Sequence, residues 1–252
     1  MLKCFQLGIV AIVLFILYRK INVIGWADVM QALPLSPWFY CFFILWYFAH
    51  PITEWIVYQL LWGPAVKPYF PVFLRMRVYN LAVVSYMGEA FIALWGKRTL
   101  GLSGRKTASN VKDSNILSAL ASNSMTLLLL SIFFLSGHLT KLTNAHADYS
   151  LYIGLAAALG LILVPLVVRY KGKILAIDNK QAKQVFLIHT LRLFLTLMLQ
   201  VSIWSAAIPA APLESWLLLL TAQLVLTRIP FLPNTDLMFA GLGVSLMAFL
   251  DG

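Results

Sequence analysis

The chain has 252 residues, of which 61% are hydrophobic and 11% charged, and its mean hydropathy is +0.85. A soluble globule of this length needs a polar outer shell that such a composition cannot supply, which excludes a secreted soluble domain and a disordered chain and points to a polytopic membrane protein. The formal charge of +10 comes from 19 basic and 9 acidic residues, and the basic ones gather beside apolar segments, so they are read as topology rather than as a nucleic-acid surface.

In chain order, Phe5 to Leu17 is an apolar stretch flanked by Lys3 and by Arg19 and Lys20, with no small-x-small cleavage site, and reads as an uncleaved first membrane helix. Cys4 and Cys41 are too few for a disulfide scaffold and read as inert apolar residues. The following stretch sets Ile24, Val29, Ala32 and Leu33 among Trp26, Asp28 and Gln31, a pattern for a short interfacial helix that Pro34 and Pro37 would end. Trp38 to Trp62 is the second span. From Pro68 to Trp95, residues Arg75, Arg77, Asn80, Gly88 and Glu89 interrupt apolar sequence, and the segment reads as two broken half-helices rather than one polar helix.

Two basic segments follow, Lys97 to Lys112 and Arg169 to Lys183, with five basic residues in each. The spans Asn115–Leu135 and Tyr149–Val168 lie between them, so both fall on one side, the cytoplasmic one, opposite the weakly basic loop at Lys141. Further spans are expected from Val185 to Ala207 and from Leu213 to Leu226, then a short segment from Leu237 to Leu250 after Pro230 and Pro233. The expectation is one transmembrane domain over residues 1–252, all-α, with 6–8 hydrophobic segments and broken or re-entrant helices near 68–95 and 228–250. If the first of these is re-entrant the N-terminus is cytoplasmic; if it crosses, the reverse holds.

Polar stripes mark several of these spans. Tyr47, His50, Glu54 and Tyr58 share one helical face, as do Asn115, Ser118, Ser122 and Thr126, and His189, Arg192, Thr196 and Gln200; Gln223 and Thr227 form a weaker fourth stripe. The Ser, Thr and Gln members read first as helix-to-helix hydrogen bonds. An ionised side chain near the bilayer centre costs about 2.5–3.5 kcal/mol even on lenient scales, so Glu54, Glu89, Arg75, Arg77 and Arg192 are expected to converge in acid–base pairs, either as a structural ion pair or as a substrate site. With His50, Asn80 and His189 they form the candidate binding set.

Motifs for enzymes are weak. Gly101 to Gly104 matches the G-x-S-G of intramembrane serine proteases, but Arg105 and Lys106 follow at once and place Ser103 in a solvated basic loop. Neither an H-E-x-x-H nor a G-x-x-x-x-G-K-[ST] sequence occurs. His138, His146 and Asp148 have no metal-ligand spacing and read as solvated loop residues. No enzyme activity, metal or cofactor is expected.

The order of a short first helix, Trp26 to Leu33 (W-A-D-V-x-x-A-L), Asn80 to Glu89 (N-x(7)-G-E), Leu100 to Ser103 (L-G-L-S), Lys112 to Leu117 (K-D-x-x-I-L) and Pro230 to Pro233 (P-F-L-P) resembles the membrane region of the lysylphosphatidylglycerol synthase and flippase family. The resemblance implies that Gly88 and Glu89 match its Gly-acid pair after a broken helix, Asp113 the acid of its R-x-x-D-like segment and Pro233 the proline of its late P-G-G-x-G loop. The proline before the Gly-acid pair and the glycines of the late loop are replaced here, and the soluble aminoacyl-transfer domain has no counterpart, so lysyl transfer is not expected. The function implied is that of a bacterial inner-membrane, multi-pass protein that binds or moves an amphipathic lipid, anionic or polyprenyl-linked. The alternative is a non-transporting scaffold for a lipid or glycan enzyme, which predicts tightly paired charges with no cavity between them.

Overall fold

A computed structural model describes residues 25–82 except Ala32, 86–135 and 148–228, together with Tyr18, Asn22 and Phe239. The expected first helix, the Lys141 loop with His138 and His146, the Pro230 and Pro233 break and, apart from Phe239, the last short segment lie outside these residues. Every regular element among the described residues is helical.

Helix α1 covers Trp26–Gln31 and stops short of Pro34. Pro37 does not end that helix but opens the next: α2 spans Pro37–Trp62, where the missing proline N–H is an orphan of the first turn in any case. Gly63, at φ +88°, ends α2, and a 3₁₀ segment Pro64–Tyr69 turns the chain into α3, Phe70–Ala82. Helix α4 follows at Met87–Thr99. The ring pairs Tyr79–Phe91 at 4.9 Å and Phe73–Trp95 at 6.5 Å run in opposite order along α3 and α4, so the two form an antiparallel hairpin.

The hairpin is rooted where α2 ends. Gly96 leaves room for Trp62, whose ring carbons lie 2.9 Å from where a Cβ would stand, and the Trp55 indole donates to the Lys67 carbonyl at 3.2 Å. Each arm has 13 residues, about 20 Å at 1.5 Å per residue, against about 39 Å for the 26 of α2. The hairpin therefore enters and leaves at one end of the bundle and turns part-way along it. This is the broken, re-entrant pair expected near 68–95.

Helix α5, Gly104–Leu135, starts at that same end; α6 is Asp148–Ile174, α7 Asn179–Ala207 and α8 Leu213–Arg228. Among the described residues three stretches are long and apolar enough to cross a membrane: Gly104–Leu135, Ile153–Ile174 and Asn179–Ala207. Leu128, Leu161, Ile162, Leu191 and Leu195 stand exposed on their outer faces, a surface that lipid, and not water, stabilises. The fold is an all-α bundle of membrane type. Expected as a full span, α2 is long enough, but its Tyr, Trp, His and Glu residues keep it out of the apolar set.

The two basic segments are helix ends, not loops. Arg105, Lys106 and Lys112 lie in the first turns of α5, Arg169, Lys171 and Lys173 in the last of α6, and Lys180 and Lys183 in the first of α7. A helix longer than the hydrocarbon layer carries its charged turns beyond it, so charge alone did not mark a loop. Their common side is borne out in the geometry. Lys112 Nζ donates to the Ile174 carbonyl at 2.6 Å, and buried Asp113 accepts from the Ala176 and Ile177 amides at 2.7 and 3.0 Å, latching the α6–α7 joint onto α5.

Two large apolar clusters fill the bundle, with a small third of Leu130, Ala156 and Val225 between α5, α6 and α8. One, near the basic end, joins α2, the hairpin, α5 and α7 through Tyr58, Leu61, Phe73, Met76, Ile92, Leu117 and Val185. The other, towards the far end, packs α8 against α5 and α7 through Phe133, Leu197, Val201, Trp216 and Leu220. Along α7, His189 and Arg192 fall between Val185 and Leu197, so a polar layer separates the two clusters.

Candidate functional site

The polar layer is assembled by five helices, α2, α3, α4, α5 and α7. From α7, Arg192 Nη1 donates to Glu54 Oε1 on α2 at 2.7 Å and Nη2 to Ser118 Oγ on α5 at 2.8 Å. Both charged side chains are largely buried, at 13% and 8% exposure, so the pair is desolvated and each partner needs the other. One turn away, His189 and Ser114 share a hydrogen bond at 3.1 Å, and His50 Nε2 stands 4.0 Å from Glu54 Oε1.

The hairpin supplies the second acid. Asn80, near the end of α3, accepts the Gly88 amide at 2.6 Å through Oδ1 and donates from Nδ2 to Glu89 Oε1 at 3.1 Å. One amide side chain thus caps the start of α4 and orients the carboxylate that follows. The closure needs glycine: a Cβ on Gly88 would overlap the Met76 carbonyl oxygen and the Asn80 side chain. Glu89 Oε2 is buried with no hydrogen-bond partner among the described residues.

Between Glu89 and Arg192 lies a cavity of about 280 Å³, lined by Tyr86, Glu89, Asn115, Ser118, Ala119, Ser122, His189, Arg192 and Leu193. Its walls are the hairpin tip, one face of α5 and one face of α7. Hydroxyl and amide groups on α5 face a carboxylate and an arginine across a space large enough for several waters or a small polar group.

Of the five charges expected to converge in acid–base pairs, Glu54 and Arg192 pair, and Glu89 shares the cavity with Arg192 but bonds Asn80 instead of a base. Arg77 turns instead to α2, its guanidinium 5.2 and 5.0 Å from the ring centres of Trp46 and Tyr47, a cation–π seat in place of an acid partner. Arg75 lies on the exposed face of α3 and does not join the layer. The two arginines are two positions apart on one helix, about 200° around its axis, so only one of them faces α2. His50, Asn80 and His189 fall within or against the layer.

Of the remaining Thr and Gln stripe members, expected to bond helix to helix, one pair does so. Gln200 donates to Gln223, tying α7 to α8, whereas Thr126 and Thr196 bond carbonyls of their own helices. Sequence reasoning missed Ser114, whose partner is 75 positions away, although it lies one helical turn before Ser118 on the same face. Among the described residues no group of three or more His, Cys, Asp or Glu could hold a metal ion. Comparison with known proteins gives no match to a family model, a curated protein or a solved structure.

Proposed function

We propose that the chain binds an amphipathic lipid and passes its headgroup through the polar layer while the acyl chains stay in the bilayer, as flippase-like proteins do. The observation that carries this reading is the cavity between Glu89 and Arg192, reached by a re-entrant hairpin in a bundle whose outer face is apolar. A headgroup crossing the hydrocarbon layer needs a polar path, and irregular backbone at that depth is tolerated where it lines such a path. Glu89 keeps one carboxylate oxygen for a ligand or water, while Arg192, neutralised by Glu54, offers remaining guanidinium edge. The substrate class we assign is an anionic or polyprenyl-linked lipid, which fits the resemblance to the synthase and flippase family. The setting is the bacterial inner membrane, multi-pass, with the basic end cytoplasmic.

The scaffold reading requires tightly paired charges and no cavity. The Glu54–Arg192 pair meets the first condition, but the open space beside Glu89 fails the second, which favours the lipid reading.

In reconstituted vesicles with fluorescent anionic and zwitterionic lipids, the full chain accelerates transbilayer movement of the anionic lipid. Glu89→Gln, which keeps the size and the Asn80 contact, slows it about tenfold or more, since a hydrogen bond to a charged group contributes about 1.5–3 kcal/mol. Absence of movement for every lipid, or an unchanged rate in folded Glu89→Gln protein, overturns the proposal and leaves the scaffold.

A further inference from the structure

A second, larger cavity of about 540 Å³ opens at the basic end, away from the polar layer. It lies between the C-terminal end of α2 at Leu61, the first turns of α5, and the α6–α7 joint with the start of α7. Its volume falls in the range of about 300–1,000 Å³ usual for small-molecule sites.

The lining is asymmetric in charge. Arg105 and Lys106 stand on α5, joined by the neutral hydrogen-bonding groups of Ser103, Ser109, Asn110 and Gln181. The one acid, Asp178, is engaged as the N-cap of α7, where it accepts the Gln181 amide at 2.8 Å. Ser103 does the same for α5, accepting the Lys106 amide at 3.2 Å. Two helices thus begin at one cavity, and the positive ends of their dipoles add to the two side-chain cations. Lys97, whose Cδ lies 3.8 Å from where a Gly104 Cβ would stand, brings a third cation to the start of α5.

The site is held open by contacts that do not use its cations. Asp113 and Lys112 fix the joint on one side, and buried Asn110 donates to the Leu61 carbonyl at 3.5 Å on the other. Arg105 and Lys106 have exposed side chains and are free of that framework. A guanidinium fork and an ammonium, with hydroxyl and amide donors around them, suit an oxyanion over a neutral sugar, and a phosphate, with more charge and more acceptor oxygens than a carboxylate, engages more of these donors at once.

We propose that this basic-end cavity binds a phosphate group, with Arg105 and Lys106 as its charged ligands. The phosphate belongs either to the headgroup of an anionic lipid in the adjoining leaflet or to a free phosphate compound in solution. The inference does not depend on lipid movement through the polar layer.

The test uses the full chain purified from vesicles of phosphatidylglycerol and phosphatidylcholine, with retained lipid counted by mass spectrometry and inorganic phosphate binding read by calorimetry. The result expected is selective retention of phosphatidylglycerol or saturable phosphate binding, weakened at least about tenfold in R105Q/K106Q, the loss of a charge-assisted pair of contacts. K171Q/K173Q, which removes the same charge from α6 outside the cavity, keeps the binding. Retention of phosphatidylglycerol assigns the lipid as source, and phosphate binding without it assigns the soluble compound. Equal losses in the two double variants would mean general electrostatic attraction and overturn the proposal, as would binding of neither probe by folded protein.

Discussion

Replacing Arg192 with glutamine lowers the stability of the bundle by about 3–5 kcal/mol, the cost of leaving one member of a buried ion pair without its partner. Glu54 is buried, and its nearest other cation-forming group, His50, stands 4.0 Å away, too far to replace the 2.7 Å guanidinium contact. Ser118 loses its donor as well. The double variant Glu54→Gln/Arg192→Gln removes both charges and lets two amides share the space, so much of the loss returns. Unfolding of the four proteins of this cycle in mixed micelles measures the coupling directly. Additive effects of the two single changes would mean that the pair contributes no mutual stabilisation and that water, not Glu54, satisfies Arg192.

Gly88→Ala has the second large effect and acts through geometry instead of charge. The added methyl group meets the Met76 carbonyl oxygen and Asn80 Oδ1, neither of which can retreat without opening the hairpin or breaking the cap on α4. Overpacking of this kind costs about 1–3 kcal/mol. The expected result is a less stable protein in which Glu89 no longer faces Arg192 and lipid movement is lost. Gly104→Ala is the contrasting case: its Cβ meets only the flexible Lys97 side chain at 3.8 Å, so thermal unfolding and lipid movement stay at wild-type levels. Equal behaviour of the two variants would show that the close approach of α3 and α4 does not hold the hairpin tip in place.

Much of this arrangement was legible in the sequence because helical period converts spacing into a face. Tyr47, His50, Glu54 and Tyr58 were assigned one side of α2 from their intervals alone, and Arg192 was assigned the side of α7 that carries His189; the two faces do meet. The prolines and polar residues from 68 to 95 likewise marked a broken pair before its contacts were known. What the period does not contain is rotation between helices. Arg75 and Arg77 are chemically equal and adjacent in register, and only the packing of α3 on α2 decides that Arg77 sits against Trp46 and Tyr47 while Arg75 faces outward. The Asp113 latch was invisible for a related reason: its partners, the Ala176 and Ile177 amides, are backbone groups that carry no residue-type signal. The basic segments misled over helix bounds because lysine and arginine are good helix formers that also mark membrane edges.

The most direct test of the central claim asks whether water reaches the space between the hairpin tip, α5 and α7. With Cys4 and Cys41 replaced by serine, single cysteines at Asn115 and Ser122 line that cavity, whereas one at Ser131 on the same helix faces outward with Phe134 and Leu135. Thiols react as thiolates, which form in water and not in hydrocarbon, so labelling rate reports hydration. In intact vesicles treated with a small charged thiol reagent, Asn115→Cys and Ser122→Cys are labelled and Ser131→Cys is not. Labelling confined to Ser131→Cys, or absent from both cavity positions in folded protein, would contradict the account, because a dry, closed polar layer offers no path for a headgroup.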